Sequence, residues 1–313
     1  MIIRSHRGTS MSGEVSVSAV VVISSSSRRF HSTVRGVAWS ITLEVMFATT
    51  EPVRTSESDR AGKMLRDWRL RKGLSQLALS LQVGISARHL SFVETGRSVP
   101  STELIVHLGE HLEIPLRERN RILLAAGHAP VYSHHRPDDP ELAVVRSELS
   151  QMIAAVEPVP AVICDRHWGL VEANGTIAVL LDGCAPHLLE PPANVLRLTL
   201  HPDGVAPRIA NLATIRNHLI GQVRRRAEWT GDRVLADLAR ELYAYSSDSD
   251  EESESVDDSV VVPLRLRHPD GELSFFTMAA ALTSARDVTI DEYTVELFAP
   301  ADGRTREFLY GSR

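Results

Sequence analysis

The sequence predicts a multidomain chain: an all-α domain of five helices, then an α+β domain, both behind a disordered N-terminal extension. Three observations predict it. Helix-capping residues and glycines punctuate the chain at short intervals from residue 59 to 127. After residue 160 the apolar pattern shortens to strand-length runs separated by turn residues. Charge is also unevenly spread: residues 60–127 hold eleven Lys/Arg against six Asp/Glu, and residues 128–313 hold seventeen against twenty-nine. A basic block joined to a larger acidic one fits a polyanion-binding module that carries a second domain of another kind.

Composition excludes several classes. No window reaches eighteen uninterrupted apolar residues, so no membrane insertion is expected. Cys164 and Cys184 are the only cysteines, too few for a disulfide framework or a four-cysteine zinc site, and a reducing, cytoplasmic setting is expected. No nucleotide-binding glycine loop, nucleophile elbow or zinc-protease helix is present. Neither catalytic residues, cofactor nor metal is therefore expected.

The elements follow in order. Residues 1–58 form the extension; its first forty-five hold eleven serines and only two acids. Such a segment loosely fits a transit peptide, and the simpler reading is an upstream extension with Met46 as the working start. Ser58 or Asp59 is expected to cap a first helix running to Lys72, with Ala61, Leu65 and Trp68 on one face, and Gly73 stops it. Ser75 caps a second helix, 76–83, burying Leu79 and Val83. Gly84 breaks the chain, and Ser86 caps a third, 87–95, with Leu90 and Val93 inward. Gly96 takes the left-handed position that ends it. Ser101 caps a fourth carrying Leu104, Leu108 and Leu112. Pro115 opens a fifth that ends at Ala125-Ala126-Gly127, completing a domain over 59–127.

Residues 128–140 hold three prolines and read as a linker. The α+β domain is expected over 141–302, starting with a helix at 140–156. Residues 161–164 and 170–173 read as strands around a turn, and Asn174 as the cap of a helix to Leu181. Helices at 208–225 and 231–245 precede an acidic tract, 246–259, with seven acids and six serines, which reads as a solvated loop. Strands at 260–267, 273–282 and 293–298 close the domain, the first two as a hairpin about Pro269-Asp270-Gly271. Residues 303–313 are left as a tail.

The second and third helices carry the chemistry. Gln76 lies where N-terminal N–H groups and the helix dipole meet a phosphate. Ala87, Arg88 and His89 occupy the capped end of the third helix, with Ser86 as its cap and Ser91 one turn on. Arg88 has the geometry for a bidentate contact to guanine, and a plain phosphate contact is the alternative. Arg97, with Gln76, suits phosphate.

The segments Ser75-Gln76, Val83-Gly84-Ile85-Ser86 and Glu94-Thr95-Gly96-Arg97 resemble the helix-turn-helix of phage repressors and their bacterial relatives, the XRE family. That resemblance implies a structural ion pair between Arg69 and Glu94. Ser80 departs from it, since such domains usually carry alanine there. A longer resemblance, to the MmyB-like subgroup, rests on the runs SARHLSFVETGRSVPS, IPLRERNRILLAAGHAPVY, PAVICDRHWGLVEAN, LHPDG and FAPAD, in that order between about residues 60 and 302. It implies a PAS-like C-terminal domain and a fatty-acid-like ligand.

Candidate polar groups for such a ligand are Trp168, Asn174, Arg197, His201 and Asn211. A helix cap is the simpler role for Asn174, and a turn residue before Pro202-Asp203-Gly204 for His201. Cys164 reads as a buried inert thiol, and Arg224-Arg225-Arg226 as a solvated helix face. The expected function is a sequence-specific regulator that binds double-stranded DNA as a homodimer, because one short recognition helix makes few contacts. In the alternative, the C-terminal domain only dimerises or binds a protein partner. An enzyme with a metal held by His134, His135, Asp138 and Asp139 is a more distant rival, since adjacent histidines lack helical ligand spacing.

Overall fold

The computed structural model describes residues 56–245 and 261–311, with the backbone of two short strands, β1 (Thr33–Val34) and β2 (Val37–Ala38), paired antiparallel. The rest of the extension expected over 1–58, and the acidic tract 246–259, lie outside the described residues. Residues 56–311 belong to one compact unit that begins at Arg54.

Helix α1 (Ser56–Arg71) starts upstream of both expected caps, so Ser58 and Asp59 lie within its first turn. Nothing in Ser-Glu-Ser-Asp breaks a helix, and acids are favoured in a first turn by the helix dipole. The next four helices fall where the punctuation put them: α2 (Gln76–Val83), α3 (Ala87–Glu94), α4 (Thr102–His111) and α5 (Leu116–Ala125). Ser75, Ser86 and Ser101 each accept a hydrogen bond from the backbone N–H three residues on. Gly96 sits at φ 70°, and the amides of Gly96 and Arg97 return to the carbonyls of Val93 and Phe92. This double bond ends α3 cleanly. One core, with Leu65, Trp68, Leu90, Val93, Leu108 and Leu123 buried at its centre, ties the five together. At Gly62 a Cβ would stand 2.1 Å from the Val93 carbonyl, so α1 and α3 approach as closely as glycine allows.

The second domain begins with a 3-10 turn at Pro140–Leu142 and α6 (Ala143–Ala155). Strands β3 (Ala161–Cys164) and β4 (Leu170–Ala173) follow as expected. Then come α7 (Ala178–Leu181), α8 (Pro186–Leu189), α9 (Val195–Leu200), α10 (Leu212–Thr230) and α11 (Arg233–Ala244). The sequence had suggested neither α8 nor α9, which are too short to show a period. Strands β5 (Leu264–His268), β6 (Gly271–Ala281) and β7 (Thr294–Pro300) complete an antiparallel sheet of order β4-β3-β7-β6-β5, and α12 (Val288–Asp291) precedes β7. The residues set aside as a tail instead form α13 (Gly303–Tyr310), capped by Asp302 and anchored where Thr305 accepts the Ser274 amide.

Strand alternation gives the sheet two buried faces. Ala161, Ile163 and Val295 pack under α6, against Leu149 and Ile153. Val162, Cys164, Phe275 and Phe298 point the other way, into the layer of α7 to α11. The segment expected as a linker is threaded into the fold. Asn120 holds both the amides of Val131 and Tyr132 and the carbonyl of Tyr132, while Asp287 accepts from the amide of His135 and pairs with its ring.

Candidate functional site

The exposed end of α3 is built from its cap. With Ser86 outside the helix and its oxygen on the His89 amide at 3.1 Å, the first turn presents Arg88 and His89 to solvent. Ala87 and Ser91 are half-buried beside them. The Arg88 and Arg97 guanidinium carbons lie 5.2 and 5.7 Å from the ring centre of Phe92. The one ring thus restrains two exposed cations.

Behind this face sits the predicted ion pair. Arg69 donates Nε to Glu94 Oε1 at 2.6 Å and Nη2 to Oε2 at 2.8 Å, and its Nη1 reaches the Leu74 carbonyl at 2.6 Å. Both residues are buried. The hydrogen bonds that Arg69 donates to Glu94 raise its pKa above the ordinary value, against burial, which lowers it. Gln76 adds to the pair: its Nε2 donates to Glu94 Oε2 at 2.8 Å. One N–H expected at phosphate therefore fixes the amide from within, a link across eighteen residues that no local pattern signals. Ser80, the departure from the repressor pattern, donates its hydroxyl to the Leu77 carbonyl and buries no unpaired group.

No local sequence pattern signals how the two domains join. Trp229, near the end of α10, packs edge-on to Trp68 with ring centres 5.2 Å apart. Arg71 donates to the Trp229 carbonyl and stacks on Trp68, and Lys72 lies over Trp229. Arg117 of α5 makes a two-point contact with Glu292 at 2.6 and 2.8 Å. Side chains of both domains line the cleft between these contacts, about 390 Å³ in volume. Arg226 faces this cleft over the Trp168 ring and is not the solvated residue the charge run suggested. Burial lowers its pKa, with neighbouring carboxylates opposing.

Between the sheet and α7–α9 lies an apolar cavity of about 40 Å³, lined by Val162, Leu170, Leu180, Leu198, Leu264 and Phe298 among others. None of the five polar residues proposed for a ligand lines it. Trp168 occupies the Asp165–Gly169 turn at φ 60°. Burial pushes the neighbouring Glu296 carboxyl up, while the Trp168 hydrogen bond and Arg226 pull it back. Asn174 caps nothing with its side chain; buried, it receives the Ala161 amide and donates to the Ile153 and Val159 carbonyls. Arg197 pairs with Glu241 at 2.7 and 2.8 Å. Asn211 joins the Pro263 carbonyl to the Arg265 amide. Burial holds the Cys164 thiol well above its ordinary range, so it is a poor nucleophile.

His201 accepts the Asp203 amide on Nδ1 at 3.0 Å, and His268 does the same for Asp270 at 3.2 Å. Both head a His-Pro-Asp-Gly turn. His187, His201 and Asp203 bring possible ligand atoms within 4.8 Å of one another. With Nδ1 accepting a backbone N–H, however, the neutral His201 ring carries its proton on Nε2, which is then no ligand. The other proposed metal group is not assembled: His134 meets Arg117, His135 meets Asp287, and Asp139 accepts the Arg136 amide.

A capped, exposed recognition helix braced by a buried ion pair, joined to a separate sheet domain, defines a DNA-binding transcription regulator. Residues 65–119 match the model of a helix-turn-helix family, and residues 145–310 match the MmyB-like transcription regulator ligand binding domain. The second match spans more than half of the chain, which therefore belongs to the MmyB-like regulators. Among solved structures, the clp gene regulator ClgR from Corynebacterium glutamicum is similar at 21% identity, over 34% of this chain and 98% of that one, with a TM-score of 0.21. No curated protein matches the chain. Among the described residues, no helix is long and apolar enough to cross a membrane.

Proposed function

We propose that the chain binds a specific double-stranded DNA site as a homodimer and that a fatty-acid-like molecule in a PAS-like second domain modulates this binding. The carrying observation is the N-terminal end of α3, where the Ser86 cap leaves Arg88 and His89 exposed beside Arg97. Arg88 reads a base edge; Ser86, Ala87, His89 and Ser91 line the groove, and Arg97 and the free part of Gln76 meet phosphates. The sheet order supports the PAS-like reading: strands two, one, five, four and three, counted within the domain. An apolar cavity on one face of that sheet supports the ligand.

The size of the cavity favours a second reading. At about 40 Å³ it is far below the ~300–1,000 Å³ of ordinary ligand sites. A fatty acid enters only if the α7–α9 wall moves outward. If it does not, the domain serves for dimerisation or for a protein partner. Fluorescence anisotropy on the DNA upstream of the chain's own gene, across a salt series, tests the first claim. Affinity should fall with a log–log slope of about -0.9 per phosphate contacted. Salt-independent binding would count against it. Native mass spectrometry of the purified protein tests the second: retained lipid supports the ligand, and none favours the partner-only reading.

A further inference from the structure

Strand β6 outruns its neighbour. It pairs with β5 only over Gly271–Phe275, yet it follows β7 as far as Ala281. The Ser274 carbonyl is turned towards β7, where it accepts the Ala301 amide. By the alternation of an antiparallel ladder, Phe276, Met278 and Ala280 also turn their backbone groups to β7. Thr277, Ala279 and Ala281 turn theirs to the open edge. None of those outward groups has a partner among the described residues. On the sheet face shared with Leu297 and Val295, Phe276, Met278 and Leu282 are exposed large apolar side chains. From Leu273 to Ala285 there is no charge and no proline, the devices that normally protect an edge strand.

We propose that this edge is the homodimer interface, occupied by the same strand of a second copy about a two-fold axis; the proposal rests on the homodimer reading above. Among the described residues just upstream of β5, Pro263 has no N–H to offer and gives its carbonyl to Asn211, and Val262 packs into the helical layer on the opposite face. An antiparallel edge is self-complementary. With Ala279 opposite the partner's Ala279, Thr277 meets the partner's Ala281, and the outward groups close about six hydrogen bonds over ~14 Å. Phe276 then lies across from the partner's Leu282 and Met278 from the partner's Ala280, so large residues alternate with smaller ones on that face. The stretch itself carries no charge, so pairing the two strands sets no like charges opposite one another.

The test is sedimentation of the full chain, carried out on the wild type, Ala279→Pro and Met278→Glu, with circular dichroism to check folding. The wild type should dimerise, and both substitutions should weaken self-association at least tenfold. Affinity for a single half-site should stay within twofold, while affinity for the two-half-site DNA drops. In a Cys184→Ser background, Ala279→Cys should give an oxidised dimer on a non-reducing gel. A dimeric wild type whose folded Met278→Glu variant dimerises equally well, with no Ala279→Cys cross-link, overturns the edge alone. A monomeric wild type that still binds the two-half-site DNA overturns the homodimer and this interface together.

Discussion

Two arginine–carboxylate forks, one within each domain, have almost the same geometry and do different jobs. Arg69–Glu94 and Arg197–Glu241 are both two-point contacts with distances between 2.6 and 2.8 Å. The first has side chains 6% and 1% exposed, the second 43% and 36%. Water screens the second pair and can replace either partner, whereas nothing replaces a partner of the first. Contact geometry alone therefore says little about what a fork contributes; burial decides it.

The largest expected effect breaks the buried fork. Glu94→Ala strands Arg69 without a counter-charge and releases Gln76, and it should cost about 3–5 kcal/mol in urea denaturation. Glu241→Ala should cost ~1 kcal/mol or less. Equal losses would mean that burial is not what separates them.

Arg88→Ala sharpens the contrast by separating recognition from stability. Arg88 is exposed and has no carboxylate partner among the described residues, so the melting temperature should hardly move. Discrimination at one base pair should fall by about 1–3 kcal/mol, read by anisotropy on a set of singly substituted sites. Arg97→Ala should instead weaken all sites alike.

Acid gives the smallest effect. Hydrogen bonding from Arg197, opposed by burial and aided by Tyr245, holds the Glu241 pKa below its ordinary 4.5. A depressed carboxylate stabilises the fold above its unfolded value, and that contribution disappears as pH falls through the folded one. Glu241→Gln should therefore lower stability slightly at neutral pH and converge on the wild type well below pH 4.5, which flattens the acid limb of the stability curve. A steeper acid limb in the variant would reverse this assignment.

The helix-turn-helix was legible almost residue by residue. Ser75, Ser86, Ser101 and Gly96 act within four residues of themselves, and local chemistry writes such features into short stretches of sequence. The Arg69–Glu94 pair, twenty-five residues apart, was reachable only through the resemblance to repressors. The ligand candidates were chosen for polarity near apolar runs. Asn174, Arg197 and Asn211 instead have their hydrogen bonds satisfied within the protein, by groups that lie thirteen to fifty-four residues away.

The sequence by itself determined the helical region and the sheet region after it, the capped helices with the exposed start of α3, and the β5–β6 hairpin, because each depends on period, cap or turn chemistry within a short window. Only the tertiary structure decided that the presumed linker is threaded into the fold and that Trp229 docks on Trp68. It alone gave the cavity a volume near 40 Å³ and left β6 with an open edge. Those features arise where distant segments meet, and which groups water can still reach there depends on packing that no local pattern records.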